Sequence, residues 1–199
     1  NLGSRLGLFV LKRLTAAICL TIAVLFAHAG ISGGADFQKG LAAAKRGDFA
    51  TALRDWKPLA EQGNADAQSL LGAMYAEGNG VPRDYKAAVK WYRLAAEQGN
   101  AGAQFNLGWM YEYGQGVTQN AKTAVKWYRL AAEQGNVSAQ NALGNMYYTG
   151  RGVPKDDKES AKWRTLAAEQ GHSDAQYTLG QICEHGNGVQ NAFKNAARW

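Results

Sequence analysis

Small and apolar residues recur along this chain at helical spacing, and the pattern itself recurs in blocks. In Asn64–Gly99, Ala67, Leu71, Met74 and Tyr75 fall on one face of a helix predicted over roughly Ala65–Glu77. Ala88, Trp91, Tyr92 and Ala95 form the buried stripe of a second helix, over roughly Tyr85–Gln98. A Gly78-Asn79-Gly80-Val81 turn separates the two, and Asp84 stands where the second helix needs an N-cap, as do Asn120 and Asp156 later in the chain. Gly99, Gly135 and Gly171 occupy the C′ position, where a left-handed backbone costs glycine least.

The same block returns at 100–135 and 136–171, and 172–199 is a truncated fourth copy. Val89–Asn100, "VKWYRLAAEQGN", is repeated letter for letter at Val125–Asn136, 36 residues later. A period in the thirties marks a solenoid of supersecondary units, each unable to bury its apolar face alone. Gly72, Gly108, Gly144 and Gly180 recur inside the first helix of each copy. A mid-helix glycine costs about 1 kcal/mol against alanine, so the pattern predicts that the second helix packs there too closely for a Cβ. Residues 35–63 differ in spacing, with a shorter turn at Gly47-Asp48-Phe49, yet end on the same Leu-Ala-Glu-Gln-Gly at Leu59–Gly63. They read as an N-terminal capping hairpin.

The 199 residues are 46% hydrophobic and 19% charged, which excludes a disordered chain. The first 29 hold three basic residues and no acid, followed by an apolar run Leu14–Ala27 that closes on Ala27-His28-Ala29. This is the layout of a cleaved signal peptide over 1–29, with 30–34 a short linker. The run is short for a bilayer span, which takes about 20 residues; an uncleaved leader would be an anchor, whereas after cleavage no membrane contact is expected. The expected location is therefore periplasmic or secreted, in a bacterium. With the leader removed, Cys183 is the remaining cysteine, so no internal disulfide is expected. The net charge of +6 falls to about +3 without the leader, too little for a nucleic-acid footprint. An Asn at the start and Trp199 inside a helical pattern read as the ends of a fragment.

Catalytic signatures are missing. The chain has no Ser-x-x-Lys or His-Glu-x-x-His, and its Gly-x-Gly turns follow helices rather than strands. No cofactor or catalytic residue is expected. The one dense titratable cluster, His172, Cys183 and His185, falls on core or variable positions and is read as structural, with no metal expected. Asp156-Asp157 with Glu159 reads as a helix start favoured by the helix dipole.

The pattern Ala-Gln-x-x-Leu-Gly-x-Met-Tyr, Gly-x-Gly-Val, Ala-x-x-Trp-Tyr-x-x-Ala-Ala-Glu-Gln-Gly resembles the SEL-one-like repeat family, a 36-residue branch of the tetratricopeptide-like α-solenoids. The resemblance covers Asn64–Trp199 strongly and Ala35–Gly63 more loosely, the latter with tetratricopeptide spacing. It implies an all-α fold: a right-handed α-solenoid of antiparallel helical hairpins, with full repeats at 64–99, 100–135 and 136–171. It further implies a non-catalytic adaptor for a protein or peptide partner, in some exported members a regulator of membrane signalling proteins or a factor at host contact. The alternative it offers is a β-lactam-binding or -hydrolysing enzyme. That subgroup carries paired cysteines, which this chain lacks.

Positions that vary between copies are free for binding. By analogy with tetratricopeptide arrays, the varying face of each first helix lines a concave groove. It offers Phe105, Trp109, Glu112 and Tyr113 in the second copy, Asn141, Asn145 and Tyr148 in the third, and Tyr177, Gln181 and Glu184 in the fourth. Aromatic rings bury area and amides bond a peptide backbone, which suits a bound segment. The competing reading is that Phe105 and Trp109 pack against the adjacent repeat. The face carries few Lys or Arg, which argues against phosphates and terminal carboxylates as ligands.

Overall fold

A computed structural model describes residue 34 and residues 36–184, the last five as backbone alone. The leader, most of the linker, the Cys183 and His185 side chains and the turn and second helix of the fourth copy lie outside the described residues. The chain divides into two compact units, one ending at Leu59 and one beginning at Ala60.

The first unit contains α1, over 36–45, and most of α2, Phe49–Glu61. Asp48 opens α2 by accepting a hydrogen bond from the Thr51 N–H at 3.1 Å. The buried Trp56 donates its indole N–H to the Phe37 carbonyl at 3.2 Å and lies against the Phe37 ring. α1 and α2 are the helices within 35–63.

The second unit is a stack of helical hairpins: α3 (Ala65–Glu77) with α4 (Tyr85–Glu97), α5 (Ala101–Tyr113) with α6 (Ala121–Glu133), and α7 (Val137–Thr149) with α8 (Asp157–Glu169). α9 (Ser173–Glu184) follows α8. All regular elements among the described residues are helices, so the all-α solenoid expected from the period is the fold. Each second helix ends one residue before the sequence reading placed it, because Gln98, Gln134 and Gln170 serve as C-caps.

The sequence reading names Asp84, Asn120 and Asp156 as caps, and the structure adds Asn64, Asn100 and Asn136. Asn64, Asn100 and Asn136 accept from the backbone N–H three residues on, opening α3, α5 and α7. Asp84, Asn120 and Asp156 do the same for α4, α6 and α8. The mid-helix glycines mark close packing. A Cβ on Gly108 would lie 2.7 Å from the Tyr128 ring of α6, and one on Gly72 2.5 Å from the Tyr92 ring of α4. The alanine-rich core between helices is almost fully buried, with Ala88, Ala95, Ala103, Ala124, Ala131 and Ala139 at its centre.

A ladder of glutamines ties successive repeats. Gln104, buried on α5, donates to the Ala96 carbonyl at the end of α4 at 3.1 Å and accepts from Gln134 at the end of α6 at 2.7 Å. Gln68 and Gln140 occupy the same place in their repeats, taking the amides of Gln98 and Gln170. This explains why both the Gln of Ala-Gln and the Gln of Glu-Gln-Gly recur. Gln104→Leu is expected to cost about 1–2 kcal/mol, the net worth of two buried hydrogen bonds whose partners keep a second contact. Urea unfolding followed by far-ultraviolet circular dichroism measures it, and an unchanged midpoint would show the ladder to be energetically idle.

Candidate functional site

α5 and α7 each pack on their own second helix and on the second helix before it, so consecutive first helices touch little. The space left between α5, α7 and α9 is an open cleft of about 370 Å³. That volume suits a few side chains of a bound segment.

Six of the ten residues proposed from the varying face line this cleft: Phe105, Trp109, Glu112 and Tyr113 from α5, and Asn141 and Asn145 from α7. Ser138, Asp174 and Thr178 join them, with His172, which begins α9 by accepting from the Ala175 N–H at 3.4 Å. Tyr148 and Tyr177 do not line the cleft, although both are exposed. The side chains of Gln181 and Glu184 lie outside the described residues.

The aromatic residues divide between the two readings. Phe105 is half-buried and packs on the Tyr128 ring, centroids 5.7 Å apart, so it belongs to the repeat interface as much as to the cleft. Trp109 and Tyr113 are exposed and stack on one another at 5.0 Å, a tilted pair presenting ring surface to the cleft. Glu112 is buried rather than presented. It accepts from the Tyr128 hydroxyl at 2.7 Å and from the Arg151 guanidinium at 3.0 Å. Burial first, and then this bond to Glu112, push the Tyr128 phenol well above its ordinary range, so it stays a donor. Glu112 therefore forms a neutralised part of the floor and is not a free acid for a ligand.

The main correction concerns basic residues. The first helices do carry few, but α8 supplies one from below. Arg164 lines the cleft while only 4% exposed. It stands where Tyr92 and Tyr128 stand in the preceding repeats, and its Cγ lies 2.7 Å from where a Gly144 Cβ would be. Its Nη2 makes one long bond to Asn145 Oδ1 at 3.4 Å, and its guanidinium lies 5.1 Å from the Tyr148 ring centroid. Nε and Nη1 have no hydrogen-bond partner among the described residues. Burial lowers its pKa from the ordinary value. Searching only the first helices for variation missed it. The signal was the one core position that changes from Tyr, Tyr to Arg across three copies.

Comparison with known proteins supports the repeat reading. The Sel1 repeat model matches residues 65–100, 101–136, 137–172 and 173–199, one residue later in register than the copies above. Among solved structures, a protective antigen of uropathogenic Escherichia coli strains displaying an SLR fold is 39% identical with a TM-score of 0.77. A Sel1 repeat protein from Oxalobacter formigenes is 40% identical with a TM-score of 0.72. These matches cover 84% and 77% of this chain, but the chain spans only 37% and 63% of those proteins. Helicobacter pylori cysteine rich protein B, at 22% identity and a TM-score of 0.51, shares the fold; the match covers 63% of this chain and 93% of that one. No curated protein matches the chain.

Proposed function

The chain belongs to the Sel1 repeat family, and from that premise we propose that it holds an extended segment of a partner protein in the cleft between α5, α7 and α9. Sel1 repeat proteins are generally scaffolds for protein–protein interaction. The observation that carries the finer reading is the exposed Trp109–Tyr113 pair beside Asn141 and Asn145 on one open cleft. Rings of this kind desolvate an apolar anchor, and the amides bond the peptide groups that flank it. The rest of the second unit supplies rigidity: identical helix interfaces fix the first helices, so the cleft is largely formed before a partner arrives and less ordering entropy opposes binding. The signal-like leader supports the bacterial envelope as the place where this happens, with the partner exported or membrane-borne.

A photo-crosslinking residue tests the reading. Benzoylphenylalanine in place of Tyr113 is expected to join one partner segment in the native envelope, identified by mass spectrometry. The same residue in place of Leu94, exposed on α4, is the control. Adding Trp109→Ala and Asn145→Ala is expected to reduce the Tyr113 product about tenfold or more, the loss usual for removing an interface anchor. Equal yields from both positions, unaffected by the two substitutions, would overturn it.

A further inference from the structure

The floor of the cleft holds a guanidinium to which no carboxylate among the described residues is hydrogen-bonded. Arg164 is only 4% exposed, yet its Nε and Nη1 lack partners, leaving at least three of its five N–H donors unused. A buried guanidinium in this condition is costly unless a ligand pairs with it.

We propose that Arg164 binds a carboxylate of the partner segment, an Asp or Glu side chain or a free C-terminus; this rests on the reading of the cleft as a segment site.

The second and third repeats show why the charge is left open. In the second, the residue packed on the glycine is Tyr128, and Glu112 closes its hydroxyl internally at 2.7 Å. In the third, the same two positions hold Arg164 and Tyr148. The Tyr148 ring can lie against the guanidinium but cannot neutralise it. Asn145 offers one oxygen, and only at 3.4 Å. Two carboxylates of the chain already border the cleft. Glu112 is already paired with Arg151, and Asp174 lines the same cleft. One guanidinium therefore faces one monoanion, for which its planar fork is matched, whereas a phosphate dianion would meet too few cations and the Asp174 carboxylate.

The test uses the full chain with three small probes: N-acetylglutamate α-amide, its uncharged analogue N-acetylglutamine α-amide, and N-acetylglutamine with a free α-carboxylate. The Arg164 Nε–H resonance is identified in a 15N correlation spectrum by its absence from Arg164→Tyr, which restores the residue found in the earlier repeats. The expected result is a saturable shift with a carboxylate probe at about a tenth of the concentration needed with the uncharged amide. A response to the side-chain probe assigns an Asp or Glu, and a response to the free-carboxylate probe alone assigns a C-terminus. No shift, or equal shifts with charged and uncharged probes, overturns the proposal. Eight-residue peptides carrying the preferred group separate the two readings. Peptides that bind no tighter than the small probes would sink the segment site while leaving the carboxylate site standing.

Discussion

Gly116→Ala is expected to lower the stability of the chain by about 3 kcal/mol, because two separate costs fall on one methyl group. Gly116 is the second glycine of the turn after α5, at φ 71°. A side chain in that left-handed region costs about 1–2 kcal/mol. The larger part is contact. A Cβ there would lie 2.3 Å from the Tyr85 carbonyl oxygen and 2.9 Å from the Lys86 nitrogen, both backbone atoms at the start of α4 in the preceding repeat. Backbone cannot swing aside as a flexible side chain can, and overpacking of this kind costs about 1–3 kcal/mol. Gly135→Ala is the control: φ is 85° and nothing lies within 4 Å of its Cβ, so it should cost only the conformational term, about 1–2 kcal/mol. Urea unfolding of the two variants measures the difference. Equal losses would mean that the turn does not dock on the repeat before it.

Arg164→Tyr is expected to act in the opposite direction, stabilising the chain by about 2–3 kcal/mol. The substitution removes a buried charge that has no compensating partner and places on Gly144 the aromatic ring that Gly72 and Gly108 already accommodate. Exchanging a poorly compensated buried ion for a packed neutral side chain typically gains about 1–4 kcal/mol. In a chain of this size each kcal/mol raises Tm by roughly 2–4 °C, so scanning calorimetry resolves the effect easily. A lower Tm would show that the guanidinium is satisfied within the folded chain, and the carboxylate site would lose its reason for existing. A stable variant that has lost carboxylate binding would place Arg164 among residues kept for a ligand at the expense of the fold.

Much of this could be read without coordinates because a solenoid makes each copy comment on the others. Ala67, Ala103 and Ala139 stay alanine because the helix interface is the same each time. The Asn and Asp caps recur because every helix has the same unsatisfied N–H groups at its start. The recurring glycines announced a close approach, and Tyr92 and Tyr128 are what approaches. The lining of the cleft was legible in part for the same reason, since Trp109, Tyr113, Asn141 and Asn145 are positions the fold leaves free. It was misread where a varying position turned out to be inward-facing. Glu112 varies between copies, yet in the second repeat it is buried between Tyr128 and Arg151.

The sequence by itself determined the repeat unit, the helices to within a residue at their ends, and the face on which variation is tolerated, because these depend on local hydrogen bonding and on helical periodicity. The tertiary structure alone decided which side chains of different repeats share one space. Gly116 meets Tyr85, Arg151 reaches Glu112 across 39 residues, and Arg164 comes up from α8 into a cleft that only first helices were expected to line. Periodicity states which way a side chain leaves its own helix. How far a long side chain reaches, and whether anything waits there to satisfy it, depends on the gap between neighbours, which no single copy of the repeat contains.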